Sequence, residues 1–231
     1  MYPTPQEKAA VEAAEKLMVE TMARYDPSHD AFHVERVRKT ALSIARALPS
    51  QKPDLLVVEL AALLHDVLDK KYVSAAEAAD PYKFFLPFFE QLASGLDLDL
   101  LTDGRGRQIS KIVENVSWTT EKKLRENGAL EDWHRDCVEL HCVQDADRLD
   151  AVGAFGIMRC SAYSAVVNRP LHAPPGSTAN ESTAIQHFHD KLLHIQGRLK
   201  TEPGKRMGTK RHQVILDFLA SIEEEYQTVI P

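Results

Sequence analysis

Glu59-Leu60-Ala61-Ala62-Leu63-Leu64-His65-Asp66-Val67-Leu68-Asp69 is an apolar helical run that ends in a histidine and two aspartates, with Lys70 and Lys71 directly after it. A segment this apolar belongs in a core, so the groups at its end are presented from a rigid position. An imidazole and carboxylates on one buried turn are costly to desolvate unless they are paired, hydrogen-bonded or bound to a metal. The end of this helix is therefore the first candidate for a site.

Outward from that stretch, helical periodicity recurs along the chain. Gln6 to Tyr25 places Val11, Ala14, Met18, Met22 and Tyr25 on one face. Asp26-Pro27-Ser28 breaks the pattern, and Ser28 or Asp30 caps a helix to about Leu48 whose inward face is His33, Val37, Ala41, Ile44 and Leu48. After a linker from Pro49 to Pro53, Asp54 caps the opening helix. Ser74–Ala79 reads as a short helical piece, and Pro81–Leu100 as a helix interrupted or kinked at Pro87. Asp103–Gly106 is a turn, and Gln108–Trp118 buries Ile109, Ile112, Val113 and Val116.

A charged loop containing Asn127-Gly128 follows, and helix resumes near Glu131. Cys137–Val167 reads as one long apolar helix, with Gly153 and Gly156 marking the close approach of another helix. The proline-rich stretch 168–180 reads as a loop long enough to be mobile or to act as a lid. Thr183–Lys200 is helical, Thr201–Gly208 a basic turn, and Thr209–Gln227 a closing amphipathic helix. No strand, repeat or domain boundary is evident, so the expectation is one all-α domain over residues 1–231.

With 231 residues and a formal net charge of -6, the chain can bury a sizeable core but lacks the basic balance of a nucleic-acid-binding domain. Cys137, Cys142 and Cys160 have no paired zinc-site spacing and read as reduced core thiols. The N-terminus has no signal-like layout, and no apolar run reaches the ~18 residues of a membrane span. A cytoplasmic protein is expected, a nuclear one being the alternative, with neither nucleic-acid nor membrane partners. The amphipathic first and last helices are compatible with a homodimer.

The dipeptide His-Asp occurs three times, at His29-Asp30, His65-Asp66 and His189-Asp190, so alone it discriminates little. The middle pair gains weight from its company. His33 lies on an inward face upstream, and Gln144-Asp145-Ala146-Asp147-Arg148-Leu149-Asp150 lies in an apolar helix downstream. Three helices thus offer ligands to one interior. Two neutral imidazoles and two carboxylates make a mixed nitrogen and oxygen site that approaches neutrality with a divalent ion. Such a set suits manganese, iron, cobalt, nickel or zinc better than calcium.

His33, His65, Asp66 and Asp147, in that order, resemble the pattern of the HD superfamily of metal-dependent phosphohydrolases. The stretches Ser28–Val37, Leu64–Asp69, Asp145–Ala154 and His187–Leu192 are similar to one small single-domain branch of it. The resemblance implies an HD-type helical bundle with the metal site between core helices, those four residues being the ligands. Asp147, rather than Asp145, is the implied ligand because it stands in Ala146-Asp147-Arg148. Asp69 would then handle the attacking water, Lys71 and Arg148 would assist catalysis, and Asp145 and Asp150 would support the ligands. The branch implies hydrolysis of nucleoside or deoxynucleoside triphosphates to monophosphate and pyrophosphate, with manganese the favoured metal and magnesium, iron, cobalt, nickel and zinc the others. Lys70 stands where many stringent members carry a second acid, a departure that bears on water handling.

A phosphorylated substrate also needs cations and donors. Candidates are His29, Arg36, Lys71, His187, Lys191, Arg198 and Arg211, with Lys70, Lys205 and Arg206 behind them. His29 precedes His33 by four residues and His187 precedes Lys191 by four, spacings that put each pair on one helical face. Two other readings follow from the same scaffold. A two-metal phosphodiesterase or an iron-dependent oxygenase would need more histidines between His65 and Asp147, where only His134 and His141 occur. A non-catalytic nucleotide-binding module would have no use for Asp69.

Overall fold

The structure, a computed structural model, describes residues 2–68, 73–74, 79–174, 176–179 and 182–228. Every regular element among them is helical, as the periodicity predicts, and none of these helices is long and apolar enough to cross a membrane. The chain divides into two compact units, Met1–Tyr25 with His29–Asp147, and Asp26–Ser28 with Arg148–Pro231.

In the first unit the opening stretch forms α3 (Leu55–Leu64), in which every residue from Leu56 to Leu64 is buried. Burying each large aliphatic side chain contributes roughly 1.5–3 kcal/mol. Asp54 caps α3 by accepting from the backbone N–H of Leu56 and Val57, and its own N–H donates to Glu139 Oε1. Around α3 pack α1 (Pro5–Met22), α2 (Ala31–Arg46) and, after α4 (Pro81–Leu96), α5 (Arg105–Asn115). A Thr4–Glu7 capping box starts α1, and Asp30, not Ser28, caps α2 through the N–H of His33. The expected inward faces are buried except at Tyr25, which lies past the end of α1 and is half-buried: Val11, Ala14, Met18 and Met22 on α1, and His33, Val37, Ala41, Ile44 and Leu48 along α2 and its end.

Several boundaries differ from expectation, each for a local reason. Helix α4 runs unbroken through Pro87 but stops at Leu96, where Asp97 turns left-handed at φ 54°. The charged stretch expected as a loop is helix α6 (Trp118–Glu126), capped by Ser117 and held by an Arg125–Glu121 pair at 2.7 Å with Glu121 buried. The expected long helix from Cys137 is preceded by α7 (Asp132–Asp136), which ends where Cys137 takes extended backbone, and is itself two helices, α8 (Val138–Asp150) and α9 (Gly153–Val166). Val152 is extended at φ -130° and Gly153 has φ 76°, a conformation that strains any other residue. The short piece expected at Ser74–Ala79 lies mostly outside the described residues.

In the second unit α9 packs against α10 (Ala184–Asp190) and α11 (Glu202–Gln227). The helix expected to Lys200 ends at Asp190 and continues as two short 3-10 turns. The expected basic turn is instead the start of α11: Thr201 caps it through the N–H of Gly204, and Pro203 sits in the first turn, where its missing N–H costs nothing. Gly153 meets α11 as expected, since a Cβ there would lie 3.1 Å from Arg211, whereas Gly156 faces the backbone of Ala151. All three cysteines are buried free thiols; burial, then Asp145 and Glu139, pushes Cys142 up to about 12.

Candidate metal centre

His33 occupies the first turn of α2, its backbone N–H tied to Asp30 Oδ1 at 2.9 Å. His65 is the residue at which α3 ends, and Asp66 follows in the turn. A helix leaves its last carbonyls without helical donors. The imidazole of His65 uses one of them: Nδ1 lies 2.7 Å from the Ala62 carbonyl, which can only accept, so Nδ1 carries the proton and Nε2 the lone pair. That Nε2 is buried and has no hydrogen-bond partner, a cost that a cation would remove.

The four implied ligands come together. His33 Nε2 is 3.4 Å from Asp66 Oδ2 and 3.6 Å from Asp147 Oδ1, and His65 Nε2 is 3.4 and 3.9 Å from the same atoms. The imidazole centroids are 5.3 Å apart. Ligand atoms of His33, His65 and Asp66 all fall within 4.8 Å of one another. Neighbouring ligands about 2.1 Å from a shared ion would be separated by about 3.0–3.4 Å, so the donor set fits a divalent metal with little adjustment. The imidazoles are buried to 1% side-chain exposure while Asp66 and Asp147 keep 18% and 26%, so the cluster opens on its carboxylate side.

Burial alone would raise the Asp66 carboxyl; when protonated, the imidazoles of His65, His33 and His29 hold it well below the usual carboxylate range, a pull that His65 does not exert while its Nε2 keeps the lone pair. The His29 ring is 6.2 Å from that of His33, which places it beside the cluster, but not by sharing a helical face with His33: α2 starts at Ala31 and His29 precedes its cap, Asp30. Asp145 is fully buried, and its charge bears on Cys142. Arg36 sits one turn beyond His33, partly buried. Asp69, Lys70 and Lys71 lie outside the described residues.

The remaining candidates belong to the second unit. Arg148 donates from Nη1 to the Arg198 carbonyl at 3.0 Å, and Arg211 donates to the Leu149 carbonyl. Sequence reasoning missed Arg159, which donates from Nε to the Ser28 carbonyl at 2.7 Å and pairs with Asp150 at 3.3 Å. Nothing in an apolar helix with a single arginine signals that role in advance. It also missed the Nδ1 bond of His65, although a histidine just past a helix end is well placed for it.

His187 and Lys191 are one turn apart. Burial first, then Lys191 and Arg169, lowers the His187 pKa from 6.5, against the opposing pull of Asp190. Its folded pKa lies below its unfolded one, so stability is full above about pH 6.5 and is lost as pH falls from there, because the unfolded chain takes the proton first. In urea unfolding between about pH 7 and pH 5, His187→Gln should show a shallower loss of stability than the parent; equal slopes would assign the pH response elsewhere.

Known proteins share this fold. YpgQ of Bacillus subtilis strain 168 is 30% identical over 202 residues, covering 85% of this chain and 84% of that one. The crystal structure of YpgQ in complex with ADP has a TM-score of 0.65 and 23% identity over 95% of this chain and 96% of that one. Lin1889 from Listeria innocua gives 0.70 and 27%, covering 97% and 99%, and an HD-superfamily hydrolase from Bacillus thuringiensis gives 0.68 and 23%, covering 96% and 100%. The HD domain match begins at residue 31, the first of α2, and ends at residue 152, just past α8, and with that stretch, more than half its length, the chain belongs to the HD domain family.

Proposed function

We propose that the protein is a metal-dependent phosphohydrolase of nucleotides, cleaving a nucleoside triphosphate to the monophosphate and pyrophosphate. The observation that carries this reading is the convergence of two buried imidazoles, one with an orphaned Nε2, and two part-exposed carboxylates on one point. His33, His65, Asp66 and Asp147 would hold a divalent ion, manganese before the others. Such an ion, when bound, lowers the pKa of its water and polarises a phosphoryl oxygen.

The rest falls to the chain. The Nδ1–H bond of His65 keeps Nε2 available as a donor, and burial of both rings fixes their direction. Asp69, three residues beyond Asp66, is the proposed acid that orients and deprotonates water. His29, Arg36, Lys71, His187, Lys191, Arg198 and Arg211 are the proposed substrate contacts, with Lys71 and Arg148 stabilising phosphoryl charge. Support for a nucleotide comes from the YpgQ complex with ADP, and support for hydrolysis from the hydrolase of B. thuringiensis.

Nothing at His134 and His141 favours a second metal. His134 Nε2 is 3.1 Å from Asn115 Oδ1 and its Nδ1 accepts from the Glu131 N–H, while His141 Nε2 is 2.9 Å from the His134 carbonyl. The purified protein, stripped of metal and reloaded with manganese, is expected to release monophosphate and pyrophosphate from nucleoside triphosphates, read by ion-exchange chromatography. Absence of turnover across the common ribo- and deoxyribonucleotides would defeat the proposal.

A further inference from the structure

Helix α3 is apolar on all sides except at Glu59, and Glu59 is buried. Contacts between leucine, valine and alanine side chains fix helix register through shape alone, whereas a hydrogen-bonded charge pair adds direction. Glu59 is the directional group. Its Oε1 accepts from Arg38 Nε at 2.7 Å and Nη2 at 2.6 Å, a two-pronged pair across α2 and α3. Arg38 Nη1 reaches Glu15 Oε2 on α1 at 3.2 Å, and the Tyr2 hydroxyl donates to Glu59 Oε2. Burial and then Glu59 push the Tyr2 pKa up, which keeps that hydroxyl a donor.

The placement of this pair relative to the metal cluster gives it a role. Arg38 lies five residues after His33 on α2, and Glu59 lies six before His65 at the end of α3. The helices are antiparallel, so the pair and the imidazoles are two cross-links roughly 7.5–9 Å apart along the α2–α3 seam, made from different sides of each helix. We infer that Glu59 and Arg38 are positioning residues whose ion pair sets the register of α2 against α3 and thereby the separation of His33 from His65. This rests on the metal reading above. Ligand spacings of 3.4–3.9 Å leave no room for a slip of even an ångström along the seam.

Stability alone does not account for such a pair, because replacing buried ion pairs with apolar groups of similar volume often leaves stability unchanged or higher. That separates the two roles. The double variant Glu59→Leu/Arg38→Met is expected to stay folded, its melting temperature changed only by the loss of the bonds to the Tyr2 hydroxyl and Glu15, yet to bind manganese at least about tenfold more weakly by isothermal titration calorimetry. With substrate, kcat should fall while KM changes little. A folded double variant with parental manganese affinity overturns the inference and leaves the metal reading standing; a parent that binds no manganese overturns both. If the double variant does not fold, Glu59→Gln, which keeps shape and removes charge, is judged by the same affinity criterion.

Discussion

His65→Ala is expected to abolish the thermal stabilisation that manganese gives the parent protein. A ligand that binds only the folded state, at about a hundredfold excess over its Kd, stabilises by about 2.7 kcal/mol, which for a chain of this size raises Tm by roughly 5–11 °C. The parent should show that rise. The variant should not, because alanine removes the lone pair that Nδ1 protonation directs toward Asp66 and Asp147. Without metal the two proteins should differ less: the variant loses a bond to the Ala62 carbonyl and ring packing, but it also loses the buried Nε2 that has no partner. Turnover should fall on the order of 10²–10³ or more, as when a fixed electrostatic group at a reacting phosphoryl is removed. Differential scanning fluorimetry with and without manganese is the measurement, and a parental metal shift in the variant would remove His65 from the ligand set.

How far the sequence reaches can be seen from particular residues. The inward face of α2 was legible to its last member because periodicity is a local property, and His33, Val37, Ala41, Ile44 and Leu48 are all buried. Helix α6 was not legible: Trp118–Glu126 has almost no apolar stripe, and it is held by the Ser117 cap and by a buried Glu121 whose Arg125 partner cannot be told from any other surface pair in the sequence. The break between α8 and α9 was hidden for the opposite reason, since both sides are apolar and the extended Val152 carries no signature. The cluster itself is a third case. Periodicity pointed His33 inward and put His65 at a helix end, but the 3.4–3.9 Å separations depend on how three helices cross, which only the family resemblance anticipated. Substrate contacts lie furthest out of reach, since cations such as Arg148 and Arg211 also serve backbone carbonyls of their own unit.

Gly156→Ala is the other substitution with a large expected effect, and it acts on the second unit alone. The sequence marks Gly156 as a place of close approach, and the structure identifies the partner as the chain's own backbone. A Cβ at this position would lie 2.4 Å from the carbonyl oxygen of Ala151 and 2.5 Å from its carbon. Neither can rotate aside as a side chain could, which distinguishes this site from Gly208, where the atom met is the flexible end of Leu199. Relief requires opening the Ala151-Val152 turn, which is itself constrained on two sides: Gly153 must keep φ 76°, and Arg211 packs on Gly153 while donating to the Leu149 carbonyl. Alanine would gain helix propensity of about 1 kcal/mol over glycine, but forced overpacking against backbone costs about 3 kcal/mol or more, so destabilisation wins. A net loss of about 2 kcal/mol corresponds to a fall in Tm of roughly 4–8 °C for a chain of this size. Gly208→Ala should fall by less, because Leu199 can change rotamer. If Gly156→Ala melts with the parent, the α8–α9 turn does not press the Ala151 carbonyl against Gly156 as described.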